Sequence, residues 1–273
     1  MSGQDAEPGD SLPDAKAAAS PQADAWAGLR TATPARIGLG RRGDAIPLAE
    51  VLAFQLAHAK ARDAVHAVLD AGAIEAALAP HPVFHVRSLA PDRTTYLRRP
   101  DLGRALDPEA GAALDGAGGP FDLAFVIADG LSATATAAHA VPLLRACLSR
   151  LEGLTVAPIV VASQARVALG DPVGERLGAR LCAVLIGERP GLSVSDSLGV
   201  YLTYDPHPGR RDSERNCISN VHDHGGLPYA RAADLLAWLA REALARGVTG
   251  IGLKDEAIAQ ALQSTGAPGL SEL

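Results

Sequence analysis

The chain has few aromatic residues, few cysteines, no long apolar run and no excess of positive charge. Each scarcity excludes something. Only 4% of its 273 residues are Phe, Trp or Tyr. A core must therefore be built from Ala, Leu, Val and Ile, and 48% hydrophobic content supplies enough for a sizeable one. The three cysteines, Cys147, Cys182 and Cys217, stand far apart and form no CxxC. An odd, scattered set excludes a disulfide framework and fits a reduced, cytoplasmic setting. No apolar stretch approaches the roughly 18 residues of a membrane-spanning helix, and the N-terminus lacks the basic-then-apolar order of a signal peptide. No membrane association is expected. The net charge is −6 without a basic cluster, which excludes the electrostatic footprint of a nucleic-acid-binding protein.

Acidity is concentrated at the start. Asp5, Glu7, Asp10, Asp14 and Asp24 face only Lys16 within residues 1–25. That stretch is rich in Ala, Gly, Pro and Ser and has no apolar periodicity, so a disordered tail is expected there. Tails of this kind direct some proteins into larger assemblies, such as a bacterial microcompartment. This one has no amphipathic helix to do so.

Order is expected from about Trp26, with a helical N-terminal region over 26–115. Pro47 to Asp70 reads as a helix: Pro47 suits its first turn, and Leu48, Val51, Leu52, Phe54, Leu56, Val65, Val68 and Leu69 give it an apolar face. Val83 to Arg87 reads as a strand. The Ala/Gly-rich stretch from Asp107 to Pro120 reads as helix, then loop, and marks the boundary of a second domain over 116–273. There the apolar runs Leu123–Ala128, Val156–Val161, Leu181–Ile186 and Val200–Tyr204 alternate with helices. These are the helix after Ser132, ending near Leu151, a short one at Val173–Leu177, and Tyr229–Ala245 closed by Gly247. Strands apolar on both faces, alternating with helices, imply an α/β fold: a Rossmann-like, doubly wound, mostly parallel sheet covered on two sides.

The polar residues at strand ends carry the chemistry, because open α/β sheets bind ligands outside the carboxyl ends of their strands. Glu188 ends the third of these runs, in Gly187-Glu188-Arg189-Pro190-Gly191-Leu192. Asp129-Gly130-Leu131-Ser132 ends the first and reads as a turn with a helix cap. Gly38-Leu39-Gly40-Arg41-Arg42-Gly43 matches G-x-G-x-x-G, but no strand precedes it, so it reads as a glycine-rich turn. Cys217, with His222, Asp223 and His224 nearby, lacks the base and orienting group of a thiol nucleophile and the ligand set of a zinc site. The arginine-dense stretch Tyr96-Leu97-Arg98-Arg99-Pro100-Asp101-Leu102-Gly103-Arg104 suits either a phosphate or ion pairs between subunits.

Five stretches in order resemble the small subunit of ethanolamine ammonia-lyase. They are Arg36-Ile37 through Arg62-Asp63-Ala64-Val65, then Tyr96 through Arg104, Asp129-Gly130-Leu131-Ser132, Gly187 through Leu192, and Cys217-Ile218-Ser219-Asn220-Val221-His222. The last two are the specific ones. The resemblance spans roughly residues 26–250 and leaves the acidic tail without a counterpart. It implies a carbon–nitrogen lyase that uses adenosylcobalamin and a radical mechanism to convert ethanolamine to acetaldehyde and ammonia. It further implies a hetero-oligomer, in which a TIM-barrel large subunit holds the substrate and the small subunit covers the cobalamin. By motif, Val167 in Ala165-Arg166-Val167, Glu188 and Cys217 are the cofactor contacts. The residue types agree: a carboxylate accepts amide N–H bonds from the corrin rim, and Val167 and Cys217 offer small contacts near the ring.

No acid or base is assigned to this chain, nor a metal ligand. Asp205-Pro206-His207-Pro208-Gly209-Arg210 departs from the Asp-x-His-x-x-Gly of cobalamin proteins that insert a histidine below cobalt, so the cofactor's own base is expected to stay on the metal. Two other readings stay open at this point: a non-catalytic cobalamin-binding regulatory module, and a nucleotide-dependent α/β enzyme.

Overall fold

A computed structural model describes residues 24–33, 35–117 and 119–253. The tail expected over 1–25 falls, apart from Asp24 and Ala25, outside them. The described residues fall into two compact units that divide after Glu50. In the first, helix α1 (Ala27–Ala32) precedes the glycine motif. Among the described residues no strand precedes that motif, and Arg42 and Ala45 bridge across a tight turn at Gly43, which takes φ +62°. It is a glycine-rich turn, as its context implied.

Helix α2 (Leu48–His66) leads into the second unit. There α3 (Ala71–Leu78), β1 (Val83–Arg87), three short helices α4 (Arg93–Arg98), α5 (Pro100–Arg104) and α6 (Pro108–Ala112), and β2 (Phe121–Ala128) follow in order. Then come α7 (Ala133–Leu148), β3 (Ile159–Ser163), α8 (Gly170–Arg176), β4 (Ala179–Gly187), β5 (Leu198–Tyr204), β6 (Arg215–Val221) and α9 (Tyr229–Arg246).

The six strands form one sheet in the order β1-β3-β2-β4-β5-β6. Pairs β1/β3, β3/β2 and β2/β4 are parallel; β4/β5 and β5/β6 are antiparallel. The direction follows from the connections. Helices α7 and α8 provide the crossovers that parallel neighbours require, whereas β4, β5 and β6 are joined without one and so fold back on each other. Only β5 runs against the rest, and the expected mostly parallel α/β sheet holds.

Both faces are covered. Leu123, Phe125 and Ile127 of β2 and Leu181, Ala183 and Leu185 of β4 pack with α3, α7 and α9. Their alternates Ala124, Val126, Cys182 and Val184 pack with Val173 and Leu177 on the other side. This is the period-2 alternation of a strand buried on two faces. Helix α7 follows β2 on one face and α8 follows β3 on the other, and the carboxyl edge of such a sheet is where ligands bind.

Two elements depart from the sequence reading. β6 was not anticipated as a strand. Only Arg215, Ile218 and Val221 of its seven residues are buried, so it carries neither a continuous nor an alternating apolar run. Helix α2 forms, but its apolar residues are not core: Ala64 is its one buried residue, while Leu52 and Leu56 are more than half exposed. Among the described residues, no helix is long and apolar enough to cross a membrane.

Candidate functional site

The loops beyond β2 and β3 are tied together by Asp129. Its buried carboxylate accepts hydrogen bonds from the successive amides of Gln164 (2.8 Å) and Ala165 (2.9 Å). Gln164 takes φ +52° to present them, a left-handed conformation uncommon outside glycine and asparagine. Burial pushes the Asp129 pKa up, while the two amides and the Arg93 guanidinium 3.8 Å away act in the opposite direction. Arg93 also donates to the carbonyls of Gly130 (2.8 Å) and Val65 (2.6 Å). Ser132 caps α7, accepting from the Ala135 amide, and donates to the Ser195 carbonyl (3.0 Å). The turn-and-cap reading of Asp129–Ser132 is therefore right as far as it went. Its further role, fixing the exit of β3, depends on tertiary contacts.

Gly187 ends β4 where no side chain fits. A Cβ there would lie on the Ser132 carbonyl oxygen and 3.0 Å from that of Asp129. The Leu131 amide donates to the Gly187 carbonyl (2.9 Å), so the β2 loop and the end of β4 touch backbone to backbone. Tyr96 closes the side. It is fully buried, its hydroxyl donates to the Ala165 carbonyl (3.0 Å), and the guanidinium carbons of Arg93 and Arg166 lie 4.7 and 4.2 Å from its ring centre. Burial pushes its pKa to about 12, so it remains a neutral donor.

These contacts frame a crevice of about 660 Å³ at the carboxyl edge of the sheet. Val167 and Glu188 both line it, with Leu131, Ile186 and Tyr201 among its other walls. Glu188 is half-buried and held by two serines: Ser197, just before β5, donates to Oε2 (2.5 Å) and Ser219 of β6 donates to Oε1 (2.6 Å). Cys217 stands apart from the wall itself. It is exposed on β6, directly across from Tyr201 of β5. Partial burial of the sulfur raises the thiol pKa and the neighbouring Tyr201 hydroxyl lowers it, with a net rise. The nearby His222 bonds Asn220 (2.9 Å) instead of the thiol. His207 of the altered histidine motif is exposed and bonds the Asp205 carbonyl (2.8 Å).

Ser197, Ser219, Tyr201 and Arg166 complete the site and were not singled out by sequence. Ser219 lies in the resemblance stretch 217–222, whereas Ser197 lies outside all five. Their convergence on one carboxylate follows from the β5/β6 pairing, which the polar β6 sequence concealed.

The profile of the family described as ethanolamine ammonia-lyase light chain (EutC) matches residues 23–254. The chain is 54% identical over 244 residues to the ethanolamine ammonia-lyase small subunit of Bradyrhizobium diazoefficiens, covering 87% of this chain and 93% of that one. It is 53% identical to that of Rhodopseudomonas palustris, with 88% and 95% covered, and 52% identical to that of Azotobacter vinelandii, with 88% and 92% covered.

Proposed function

Because the chain belongs to the ethanolamine ammonia-lyase light-chain family, we propose that it is the small subunit of an adenosylcobalamin-dependent ethanolamine ammonia-lyase, holding the cofactor against a larger catalytic partner. The carrying observation is the meeting of Val167 and Glu188 on one crevice, with Cys217 on the strand beside it.

The residues fit the group. A corrin is a broad apolar disc rimmed with amides. Leu131, Val167 and Ile186 give the crevice apolar wall, and Glu188 gives it a charged acceptor at the rim. The two serine hydroxyls fix the carboxylate's orientation before any ligand arrives, which reduces the ordering cost of binding. When bound, adenosylcobalamin supplies a radical by cobalt–carbon homolysis, which takes hydrogen from the substrate carbon bearing the hydroxyl. The part of this chain is to accept amide hydrogen bonds, orient the disc and exclude water from one side. Glu188, Val167 and Cys217 all fall in the stretch 116–273 proposed as the cobalamin-binding domain, and Tyr96 and Arg104 add a wall from the region before it.

The same reading gives α2 a purpose. Leu52 and Leu56, one helical turn apart, leave an apolar face in water, as a surface awaiting a subunit does. The proposed partner is the TIM-barrel large subunit, which would hold ethanolamine and the acid/base groups. Titration of cobalamin absorbance tests the proposal: binding should be strong with the large subunit present and weak with this chain alone. Equally tight binding by the isolated chain would favour a self-sufficient regulatory module.

A further inference from the structure

The crevice carries more positive charge than the corrin needs. Arg104, Arg166, Arg189 and Arg215 line it, against Glu188 and Asp212. Arg215 is committed elsewhere: it is buried and makes a two-pronged pair with Asp171 (2.6 and 2.7 Å). Arg104 has only a long contact with Asp212 (3.9 Å). Arg166 and Arg189 have no carboxylate within ion-pair distance among the described residues.

Arg166 is also held in place. Its guanidinium lies over the Tyr96 ring, its Nη2 donates to the Tyr96 carbonyl (3.2 Å), and its backbone amide donates to the Gly103 carbonyl (2.8 Å). Gly103 makes room for it, since a Cβ there would lie 2.9 Å from the arginine's own Cγ. Yet its buried Nε has no hydrogen-bond partner. A buried donor left unmet is costly. A planar guanidinium fixed on an aromatic face with donors unspent is suited to an anion that accepts at two oxygens, above all a phosphate ester.

We propose that Arg166 and Arg189, with Arg104 at the margin, seat the phosphodiester that joins the nucleotide tail of cobalamin to its corrin. This rests on the cobalamin reading above. The phosphodiester is the formal anion of that tail, so it is the part of the ligand that an unpaired arginine pair selects. The same assignment accounts for the arginine-dense stretch ending at Arg104, which places one cation on this crevice while Arg99 pairs with Asp101 (2.7 Å).

The test uses the complex with the large subunit and three corrinoids read by absorbance: cobalamin, cobinamide phosphate, which keeps a phosphate but no base, and cobinamide, which has neither. Arg166→Gln and Arg189→Gln should each weaken cobalamin and cobinamide phosphate by about tenfold or more, the scale of a charged hydrogen bond, and leave cobinamide affinity unchanged. Arg189 is exposed and unpaired, so its variant should keep the native melting temperature and decides the matter alone if Arg166→Gln fails to fold. An equal loss for cobinamide, or no loss for any ligand, overturns the assignment. Failure of the unsubstituted complex to bind any corrinoid would overturn the cobalamin reading and this one with it.

Discussion

Glu188 is held by hydroxyls from β6 and from the residue just before β5, which decides what its replacement does. In Glu188→Gln the amide keeps the shape but has one accepting oxygen for two serines and no charge for the corrin amides. Charged hydrogen bonds contribute ~1.5–3 kcal/mol, so cobalamin affinity of the complex should fall roughly ten- to a hundredfold. The melting temperature without cofactor should move little, because the carboxylate is only half-buried. Unchanged affinity would make Glu188 a solvated bystander. Cys217 calls for a different measurement. Its raised pKa keeps the sulfur a thiol at neutral pH, and the nucleophile is the thiolate. Iodoacetamide should therefore label it more slowly than free cysteine at pH 8, with the rate climbing as pH passes the ordinary thiol range. Cys147, pushed to about 12, and Cys182 are buried, so the native chain should take up one label and the denatured chain three. A rate above that of free cysteine at pH 7 would indicate an activated thiol. At this scale, sequence and resemblance pointed to Glu188 and Val167 on the crevice wall. The serines that orient Glu188 were hidden, because their convergence exists only once β5 and β6 pair.

Elements differ in how plainly their sequences announce them. β2 and β4 are apolar on both faces and readable as strands; β6 is polar because only Ile218 and Val221 join the apolar core on the α9 side, while its buried arginine on the α8 side is neutralised by a helix residue far away in sequence. The pair between Arg215 of β6 and Asp171 of α8 therefore holds together elements that little else joins. Asp171→Ala should leave an uncompensated buried guanidinium and cost about 3–5 kcal/mol, a fall of roughly 6–20 °C in melting temperature for a domain of this size. Replacing both partners by Leu and Met should be markedly less damaging than Asp171→Ala alone; a double variant as unstable as the single one would show that packing, not charge, is at stake. The backbone contact at the end of β4 makes a similar case. Gly187→Ala would drive a methyl into the Ser132 carbonyl, and overpacking of this kind costs about 1–3 kcal/mol. It should lower the cofactor-free melting temperature and widen the crevice, weakening cobalamin binding as well. Native stability and affinity in this variant would mean that the β2 loop yields without consequence.

For the whole molecule, the sequence disclosed the covered sheet but not the fate of α2. Its apolar face reads as one that packs, yet spacing cannot say whether the cover comes from the same chain or another. With Leu52 and Leu56 exposed, and no acid/base pair assigned within the crevice, the isolated chain should bind little cofactor and release no acetaldehyde from ethanolamine. Mixing with the large subunit and adenosylcobalamin should restore acetaldehyde production. A Leu52→Asp/Leu56→Asp double variant separates assembly from cofactor binding, because both positions lie on α2, outside the walls of the crevice. Its own melting temperature should hold, since neither side chain is core. Its turnover should fall at low subunit concentration and recover as the large subunit is raised, which is the signature of a weakened interface rather than a damaged site. Turnover by the isolated chain, or full activity of the double variant at every concentration, would show that α2 plays no part in assembly.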